Sequence, residues 1–281
     1  NKLKKIFKYK KIWCAASTHN TEEKICALAH KKLKNKYKNL LTIIIPRHIQ
    51  RSNNIINEIE NLDRVEEQLS TYISNSKFPC NVLFIDDGSL DGSLFKIEEI
   101  CNRNSAFNFI AFDTNYGLSA AIKAGFDTVE TNLTGYIDAD LQTDPNDFDI
   151  LIEYIEDYDL VTGTRTNRKD SFLKNASSFI ANSVRRLFTK DGMDDTGCPL
   201  KILKTETARR IPMFRGLHRF LPAMVLLQKG TIKQVPVSHF PRMAGQAKFG
   251  LWNRLISPLL DCFAFSWMKW KYINYRINKR G

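Results

Sequence analysis

The chain has 281 residues, of which 43% are hydrophobic, and it carries a formal net charge of +12. This length and apolar content predict a globular protein of one large α/β domain or two small ones, and exclude a chain without a hydrophobic core. Six cysteines without paired spacing predict a reducing compartment and no structural metal. No signal-like segment opens the given sequence, and no apolar run approaches the roughly 20 residues that span a bilayer.

Positive charge is concentrated towards the two ends of the chain. Residues 1–38 hold twelve Lys or Arg against two Glu, and residues 242–281 hold eight against one Asp. The centre is therefore mildly acidic. This distribution predicts an anionic surface as a partner, either nucleic acid or phospholipid headgroups, with a merely solubilising surface as the alternative.

Strand-like runs alternate with helix-length segments along the chain. This order predicts an α/β fold with a largely parallel sheet. Polar side chains at 89, 91 and 93 are candidate helix N-caps, and Asp144 followed by Pro145 is typical of a helix start. The predicted strands are residues 11–16, 40–45, 81–85, 107–112, 135–137 and 160–163.

The first acidic motif is FIDDGSLDGS, residues 84–93. Asp86 and Asp87 end an apolar strand, and Gly88 then permits a close backbone approach or an unusual dihedral angle. Taken alone, the motif is equally typical of an ordinary turn.

The second acidic motif is GYIDADLQTDP, residues 135–145. Its apolar start predicts the end of a buried strand, so that Asp138 and Asp140 emerge at the carboxyl end. Ligands of open α/β sheets bind at that edge, although a solvated acidic turn is the alternative. Together the two motifs suit a nucleotide whose base and ribose contact the first carboxylate pair and whose diphosphate shares a divalent cation with the second.

Several motifs occur in the order seen in family 2 glycosyltransferases of the dolichyl-phosphate mannose synthase type, which the chain resembles over about residues 54–254. Besides the two acidic motifs they are NYGLSAAIKAGF (115–126), GTR (163–165), TGCPLKILK (196–204), HRFLPA (218–223) and HFPRMAGQAKFG (239–250). The resemblance implies a GT-A fold. It also implies inverting transfer of a sugar from a GDP- or UDP-sugar to a polyprenyl phosphate, with Mg²⁺ or Mn²⁺, in bacterial cell envelope biosynthesis.

The resemblance implies a set of site residues at the matching positions. The implied catalytic residues are Asp138, Asp140, Arg165 and Arg242, and the implied metal ligands are Asp138, Asp140 and Gln142. The implied substrate-binding residues are Asp86, Asp87, Gly88, Ser89, Asn115, Gly117, Gln142, Arg168, His239 and Lys248.

The chemistry of such a transfer needs no catalytic histidine. A phosphate acceptor is already anionic at neutral pH, so it attacks the anomeric carbon without a general base, and catalysis reduces to positioning and charge stabilisation. A cation held by Asp140, with Asp138 and Gln142 nearby, neutralises the leaving diphosphate. A cationic clamp for the acceptor phosphate is expected from the basic side chains Arg165, Arg168, Arg242 and Lys248.

Two histidines lie within the family-like motifs. Neither His218 nor His239 has an i+4 histidine or a carboxylate at ligand spacing, which predicts packing or hydrogen bonding rather than metal binding. We expect His239 to shape the acceptor loop.

Residues 249–276 combine an apolar helical stripe with flanking basic residues. Core packing and a membrane-surface helix are both compatible with such a stripe, and the flanking charges favour the second. We expect the helix to begin near Ser257 and Pro258 and to hold the protein on the cytoplasmic face of the inner membrane as a peripheral enzyme. The stripe is Trp252, Leu255, Ile256, Leu259, Leu260, Phe263 and Trp267, flanked by Arg254, Lys269, Lys271 and Arg276.

The first sixty residues have a different likeness. WCAASTHNTEEKI (13–25) and IIIPRHIQRSNNI (43–55) resemble the opening of the nucleotide-binding half of bacterial Kdo transferase, a GT-B enzyme whose acceptor domain has no counterpart here. The predicted organisation is a basic βα extension at 1–39, a GT-A domain at 40–250 and a membrane-surface helix at 251–281. Residues 40–46 then supply the first GT-A strand, followed by an altered turn at 47–50.

Two other classes of protein share part of this pattern. An inactive or impaired fusion product that binds nucleotide sugar without turnover would carry every motif. A nucleic-acid-binding protein would share the charge, but the chain lacks aromatic-basic interleaving, a helix-turn-helix pattern and zinc spacing. Nucleic acid is therefore not an expected partner, and independent Kdo transfer is disfavoured.

Overall fold

The structure is a computed structural model that describes residues 11–18, 22–38, 40–46, 50–89, 92–165, 185–240, 251–273 and 279. The chain forms two compact units. The first comprises Asn1–Glu67 and Cys80–Asn115, and the second comprises Gln68–Pro79 and Tyr116–Gly281.

The first unit contains two parallel strand pairs. Strands β1 (Lys11–Thr18) and β2 (Leu40–Pro46) pair with Lys11 opposite Leu40, and helix α1 (Glu22–Lys36) connects them. Helix α2 (Gln50–Asn75) follows and runs into the second unit. Strands β3 (Val82–Asp86) and β4 (Phe107–Ala111) pair through the connecting helix α3 (Ser93–Arg103). All four predicted strands of this unit are therefore present.

The partner of β2 bears on the predicted organisation of the chain. Within the described residues β2 pairs with β1 in a sheet of two strands, and β3 pairs with β4 in another. The role of residues 40–46 as the first strand of a transferase sheet stays a prediction, as do the predicted domain boundaries.

Apolar contacts stabilise the β3–α3–β4 layer. Phe84 and Phe107 stack with ring centroids 5.7 Å apart, and Ile97 and Ile100 of α3 are buried. On the more exposed side Lys96 contacts the Asp63 carboxylate at 2.6 Å. Ion pairs at partly exposed sites contribute about 0–1 kcal/mol, so the apolar contacts dominate.

The second unit is built on a four-stranded mixed sheet in the order β5-β7-β6-β8. Its strands are β5 (Leu133–Tyr136), β6 (Leu160–Arg165), β7 (Lys201–Lys204) and β8 (Ile232–Val237). Its helices are α4 (Leu118–Thr128), α5 (Phe148–Ile152), α6 (Thr205–Arg209), α7 (Leu221–Leu227) and α8 (Leu251–Lys271), with 3₁₀ turns at Pro145–Asp147 and Leu217–Phe220 and a helical stretch at 185–189.

Strand β7 determines which segments meet at the sheet edge. It runs antiparallel to both neighbours, and Lys201 pairs with Tyr136 of β5 and with Thr162 of β6. The amino end of β7 therefore lies between the carboxyl ends of β5 and β6. The segments after β5 and β6 and the loop before β7 consequently share one edge of the sheet.

Helix α8 contributes to the hydrophobic core of the second unit. Cys262 and Phe265 are buried with Phe126, Leu160 and Phe220 in one cluster. Phe220 and Phe265 stack with ring centroids 5.6 Å apart. The helix begins at Leu251, six residues before the predicted start near Ser257 and Pro258, because the apolar periodicity already present upstream continues through the proline.

None of the described helices combines enough length with enough apolar character to cross a bilayer.

Candidate functional site

The first acidic motif forms a hydrogen-bonded turn after β3. Asp86 is 4% exposed, and its Oδ2 accepts a hydrogen bond from the Ser89 backbone N–H at 3.2 Å. The Asn115 side-chain amide donates to Asp87 at two oxygens, Oδ2 at 2.8 Å and the backbone carbonyl at 3.1 Å. The parallel pairing of β3 and β4 thus brings together four predicted site residues, Asp86, Asp87, Ser89 and Asn115.

Both the backbone conformation at position 88 and the atoms around it require glycine. Its φ is +70°, in the left-handed region that favours glycine. A Cβ at this position would lie 2.4 Å from the carbonyl carbon of Thr114 and 2.8 Å from the backbone nitrogen of Asn115. Because both atoms belong to the backbone, the segment that carries Asn115 would have to move.

Gly88→Ala is expected to lower the free energy of unfolding by about 2–4 kcal/mol, since backbone strain and a steric clash add. The measurement is chemical denaturation. Gly92→Ala is the matched control, because Gly92 has φ +97° and a methyl group added there would meet nothing within 4 Å, so only strain is added. Equal losses in the two variants would show that the contact with Thr114 does not constrain the turn.

The second acidic motif follows β5 directly, as predicted. The Tyr136 hydroxyl donates to Asp138 Oδ1 at 2.6 Å, and the Gln142 backbone N–H donates to Asp140 Oδ1 at 3.2 Å. Leu141, between Asp140 and Gln142, has φ 57°. Burial, and next the charge of Asp138, raise the pKa of Tyr136, so its hydroxyl stays protonated and donates to the carboxylate.

Gln142 connects this motif to the segment after β8. Its Nε2 donates to the carbonyl oxygen of Phe240 at 3.4 Å, and the Phe240 N–H donates to the carbonyl oxygen of Gln142 at 2.9 Å. Nearby, Asp147 Oδ2 accepts the Ser238 N–H at 2.7 Å. The residues on either side of His239 are therefore held, Ser238 by Asp147 and Phe240 by Gln142, and His239 itself is half-buried.

The donor set fits a divalent cation that is shared with a substrate. The side chains of Asp138, Asp140 and Gln142 carry oxygen atoms, the ligand type that Mg²⁺ and Mn²⁺ prefer. In the part of the chain that the structure describes, no group of three or more His, Cys, Asp or Glu is arranged to hold a metal by itself. Mg²⁺ sites typically combine one or two carboxylates with substrate phosphates and water, and this edge of the sheet fits that type.

Arg165, at the end of β6, forms a bidentate ion pair. Its Nε and Nη2 donate to the two carboxylate oxygens of Asp195, each at 2.7 Å. The Asp195 carboxylate is 8% exposed and the Arg165 side chain 15%. The guanidinium group is therefore held in one orientation by the loop before β7.

Lys201 is a buried cation at the start of β7. Its ammonium group donates to the carbonyl oxygens of Cys198 and Thr196, and it lies 5.9 Å from the centroid of the Tyr136 ring. Burial lowers its pKa, while the nearby negative charges of Asp195 and Asp138 oppose that shift. Its hydrogen bonds tie the loop before β7 to the strand itself.

His218 takes part in a hydrogen bond, which is one of the two roles that the sequence predicts for it. Its Nδ1 lies 3.0 Å from Ser119 Oγ, which also accepts the Gly216 N–H at 3.1 Å. Burial, and secondarily the charges of Arg219 and Lys201, lower the pKa of His218 from 6.5 to about 4.

This shift predicts a pH dependence of stability. Between pH 6.5 and about 4 the unfolded chain binds a proton at His218 that the folded chain does not, so the free energy of unfolding falls as the pH falls through this window. The expected loss is up to about 3 kcal/mol. Comparing the denaturation of His218→Gln with that of the parent isolates the contribution of His218, because the variant lacks this component of the pH dependence. Identical pH profiles would contradict the assignment.

Comparisons with known proteins bear on the family and the fold of the chain. Residues 55–211, more than half of the chain, match the model of the family described as Glycosyl transferase family 2. The chain belongs to this family. It is 30% identical over 227 residues to the dodecaprenyl-phosphate galacturonate synthase of Rhizobium johnstonii, covering 79% of this chain. It spans 64% of the length of that relative.

Two solved structures of glucosyl-3-phosphoglycerate synthase from Mycobacterium tuberculosis share the fold. The complex with UDP superposes with a TM-score of 0.56 at 14% identity, covering 74% of this chain and 77% of the other. The complex with Mn²⁺ and UDP-glucose has a TM-score of 0.54 at 14% identity, covering 75% of this chain and 74% of the other. These structures confirm the predicted GT-A fold.

Some predicted residues and resemblances are not covered by these findings. Arg168, Arg242 and Lys248 lie outside the described residues. Gly117 is described, with φ 92° before α4. The family match begins at residue 55, so the resemblance of the first sixty residues to Kdo transferase stays a prediction.

Sequence reasoning missed three residues that hold the predicted ones in place: Tyr136, Asp195 and Lys201. Tyr136 stands two positions before Asp138, the side-chain spacing at which strand residues share a face. Asp195 immediately precedes the family-like segment at 196–204, which contains Lys201. A signal was thus present, but pairing Asp195 with Arg165 requires knowing that β7 lies beside β6.

Proposed function

We propose that this protein transfers a sugar from a nucleotide-diphosphate sugar to a polyprenyl phosphate. The observation that carries the proposal is the end of β5, where Asp138 and Asp140 stand at the sheet edge of a glycosyl transferase family 2 chain. The likeness to a dodecaprenyl-phosphate galacturonate synthase supports the acceptor class.

For the donor, the family resemblance assigns a separate role to each acidic motif. Asp86 and Asp87 bind the base and ribose, and Asn115 is hydrogen-bonded to Asp87. Asp138, Asp140 and Gln142 hold Mg²⁺ or Mn²⁺, which when bound neutralises the charge of the departing diphosphate. Tyr136 and the Gln142 backbone hold the two carboxylates in place before the donor arrives, a role like that of outer-shell partners in metal sites.

The acceptor is proposed to react directly through its phosphate oxygen. Attack in line with the departing diphosphate inverts the anomeric centre and needs no general base. Arg165 contributes positive charge from the end of β6, which β7 separates from β5, in an orientation fixed by Asp195. Arg168, Arg242 and Lys248 complete the proposed clamp on the basis of sequence alone.

A membrane surface is the proposed location of the acceptor. Helix α8 buries Cys262 and Phe265 and presents a second, exposed face of large apolar side chains. Exposed Lys269 and Lys271 lie near its end. An apolar face flanked by basic residues suits a helix in the plane of an anionic bilayer, which here would be the cytoplasmic face of the inner membrane. The exposed residues of this face are Leu259, Leu260, Phe263, Trp267 and Trp270.

The test is transfer of radiolabel from UDP- and GDP-sugars to polyprenyl phosphate in anionic vesicles by the full chain. We expect a lipid-extractable product that requires Mg²⁺ or Mn²⁺ and is lost with a chelator. Nucleotide binding without any lipid-linked product across a panel of sugars would identify the chain as the inactive binder. Tight RNA binding without nucleotide binding would contradict the proposed class altogether.

A further inference from the structure

Asp195 makes more contacts in this site than an ordinary ion-pair partner. Its two oxygens accept from Nε and Nη2 of Arg165, and Oδ2 also lies 3.3 Å from the Arg165 backbone nitrogen. Oδ1 additionally accepts the Gly197 N–H at 3.2 Å. The carboxylate therefore fixes both the side chain and the backbone of Arg165.

The loop before β7 is shaped to receive the guanidinium group. A Cβ on Gly197 would lie 2.9 Å from Arg165 Nη2, so any larger residue would press on the group. The Lys201 ammonium holds the carbonyl oxygens of Thr196 and Cys198 on either side of Gly197. This glycine and this lysine together keep Asp195 in position against Arg165.

The sheet topology places this pair beside the carboxylates after β5. Lys201 of β7 is opposite both Tyr136 and Thr162. Asp138 follows β5, one of the two neighbouring strands, and Arg165 is the last residue of β6, the other. The loop that carries Asp195 enters β7 between them. Asp195 thus stands at the edge where the proposed donor diphosphate and acceptor phosphate meet.

We propose that Asp195 is a positioning residue that holds the Arg165 guanidinium in the orientation needed to receive the acceptor phosphate. The inference rests on the proposed function and adds the residue through which Arg165 is oriented. A free arginine side chain has many rotamers, and a bidentate carboxylate fixes its planar group before substrate arrives. Groups that are ordered in advance lose less entropy on binding and act more strongly on developing charge.

The test is a double-mutant cycle on acceptor use. Asp195→Asn keeps the size of the side chain but loses its charge and one acceptor oxygen. We expect kcat/KM for polyprenyl phosphate to fall by about 10- to 100-fold, with the KM of the nucleotide sugar and the half-saturating Mn²⁺ concentration unchanged. In an Arg165→Met background the same substitution is expected to change kcat/KM by less than about threefold.

Two further variants keep the test decisive. Asp194→Asn is the matched control, since the Asp194 side chain is 70% exposed and pairs with Arg186 at 3.4 Å. It is expected to leave acceptor use unchanged. Arg165→Lys keeps the charge and the ionic partner but loses the bidentate geometry, so it should reproduce the acceptor loss even if Asp195→Asn folds poorly.

Each outcome identifies which proposal fails. Losses for Asp195→Asn and Arg165→Met that multiply in the double variant would mean that Asp195 does not act through Arg165. Wild-type acceptor kinetics in Arg165→Lys, or equal losses for donor and acceptor in Asp195→Asn, would likewise overturn the positioning role while leaving sugar transfer intact. If the parent protein transfers no sugar, the proposed function falls, and this inference falls with it.

Discussion

Asp140→Asn is expected to reduce sugar transfer by about 10³-fold or more, equivalent to about 4 kcal/mol in the activation barrier. The substitution removes the negative charge with which the segment after β5 would hold the cation. It preserves the fold, because the remaining amide oxygen can still accept the Gln142 N–H that now lies 3.2 Å from Asp140 Oδ1. The measurement is radiolabel incorporation into lipid, with thermal unfolding recorded on the same sample.

Asp144→Asn is the matched control for charge within the same motif. Asp144 Oδ1 accepts the Asn146 N–H at 2.9 Å at the start of the 3₁₀ turn, and asparagine is an equally good cap. This variant should retain transfer within about twofold of the parent, since caps of equal quality differ little. If Asp140→Asn keeps near-normal, metal-dependent turnover, the second acidic motif does not hold the cation and the assignment fails.

The strands of the first unit and the two acidic motifs could be predicted from the sequence, because each depends on a local pattern of residues. Apolar runs that end at Asp86 and just before Asp138 each identify a strand that has acidic residues at its carboxyl end. The hydrogen bonds of Asp87 and Asn115 then follow from the parallel pairing of β3 and β4. Short-range periodicity and strand order were sufficient for this part of the site.

The second unit shows where local pattern is insufficient. Strands β7 and β8 were not predicted, since β7 has only four residues and β8 contains a proline, which disfavours a strand assignment. Because β7 is inserted antiparallel between β5 and β6, the sheet of this unit is mixed rather than parallel. That insertion brings Asp195 to Arg165, which are 30 residues apart in the chain, and no sequence periodicity reports it.

Helix α8 illustrates a related limit of an amphipathic pattern. The sequence shows one apolar stripe, which is compatible with both core packing and membrane contact. In the structure the helix has one buried apolar face and one exposed apolar face. Cys262 and Phe265 are 2% and 1% exposed in the core, while Trp267 and Trp270 are 66% and 75% exposed. Removing the whole helix would therefore destroy the core as well as any membrane contact, so only substitutions on the exposed face are informative.

The variant Trp267→Glu/Trp270→Glu is expected to weaken binding to anionic phospholipid vesicles by about 30-fold or more. Each indole that inserts into the interface contributes about 1–2 kcal/mol, and the new carboxylates are repelled by anionic lipid. Use of vesicle-borne polyprenyl phosphate should fall in parallel, since the protein no longer concentrates at the surface that holds its acceptor. Nucleotide binding and thermal unfolding should not change, because both side chains are exposed.

Phe265→Ala, on the opposite face of the same helix, is the control that separates surface contact from folding. Phe265 stacks on Phe220 with centroids 5.6 Å apart, so its loss should lower the free energy of unfolding by about 3–5 kcal/mol. Vesicle binding by the fraction that stays folded should remain unchanged. Flotation with vesicles and chemical denaturation measure the two quantities. Equal flotation of the parent and Trp267→Glu/Trp270→Glu at physiological salt would show that the exposed face of α8 does not bind the membrane, and the acceptor would then have to reach Arg165 by another route.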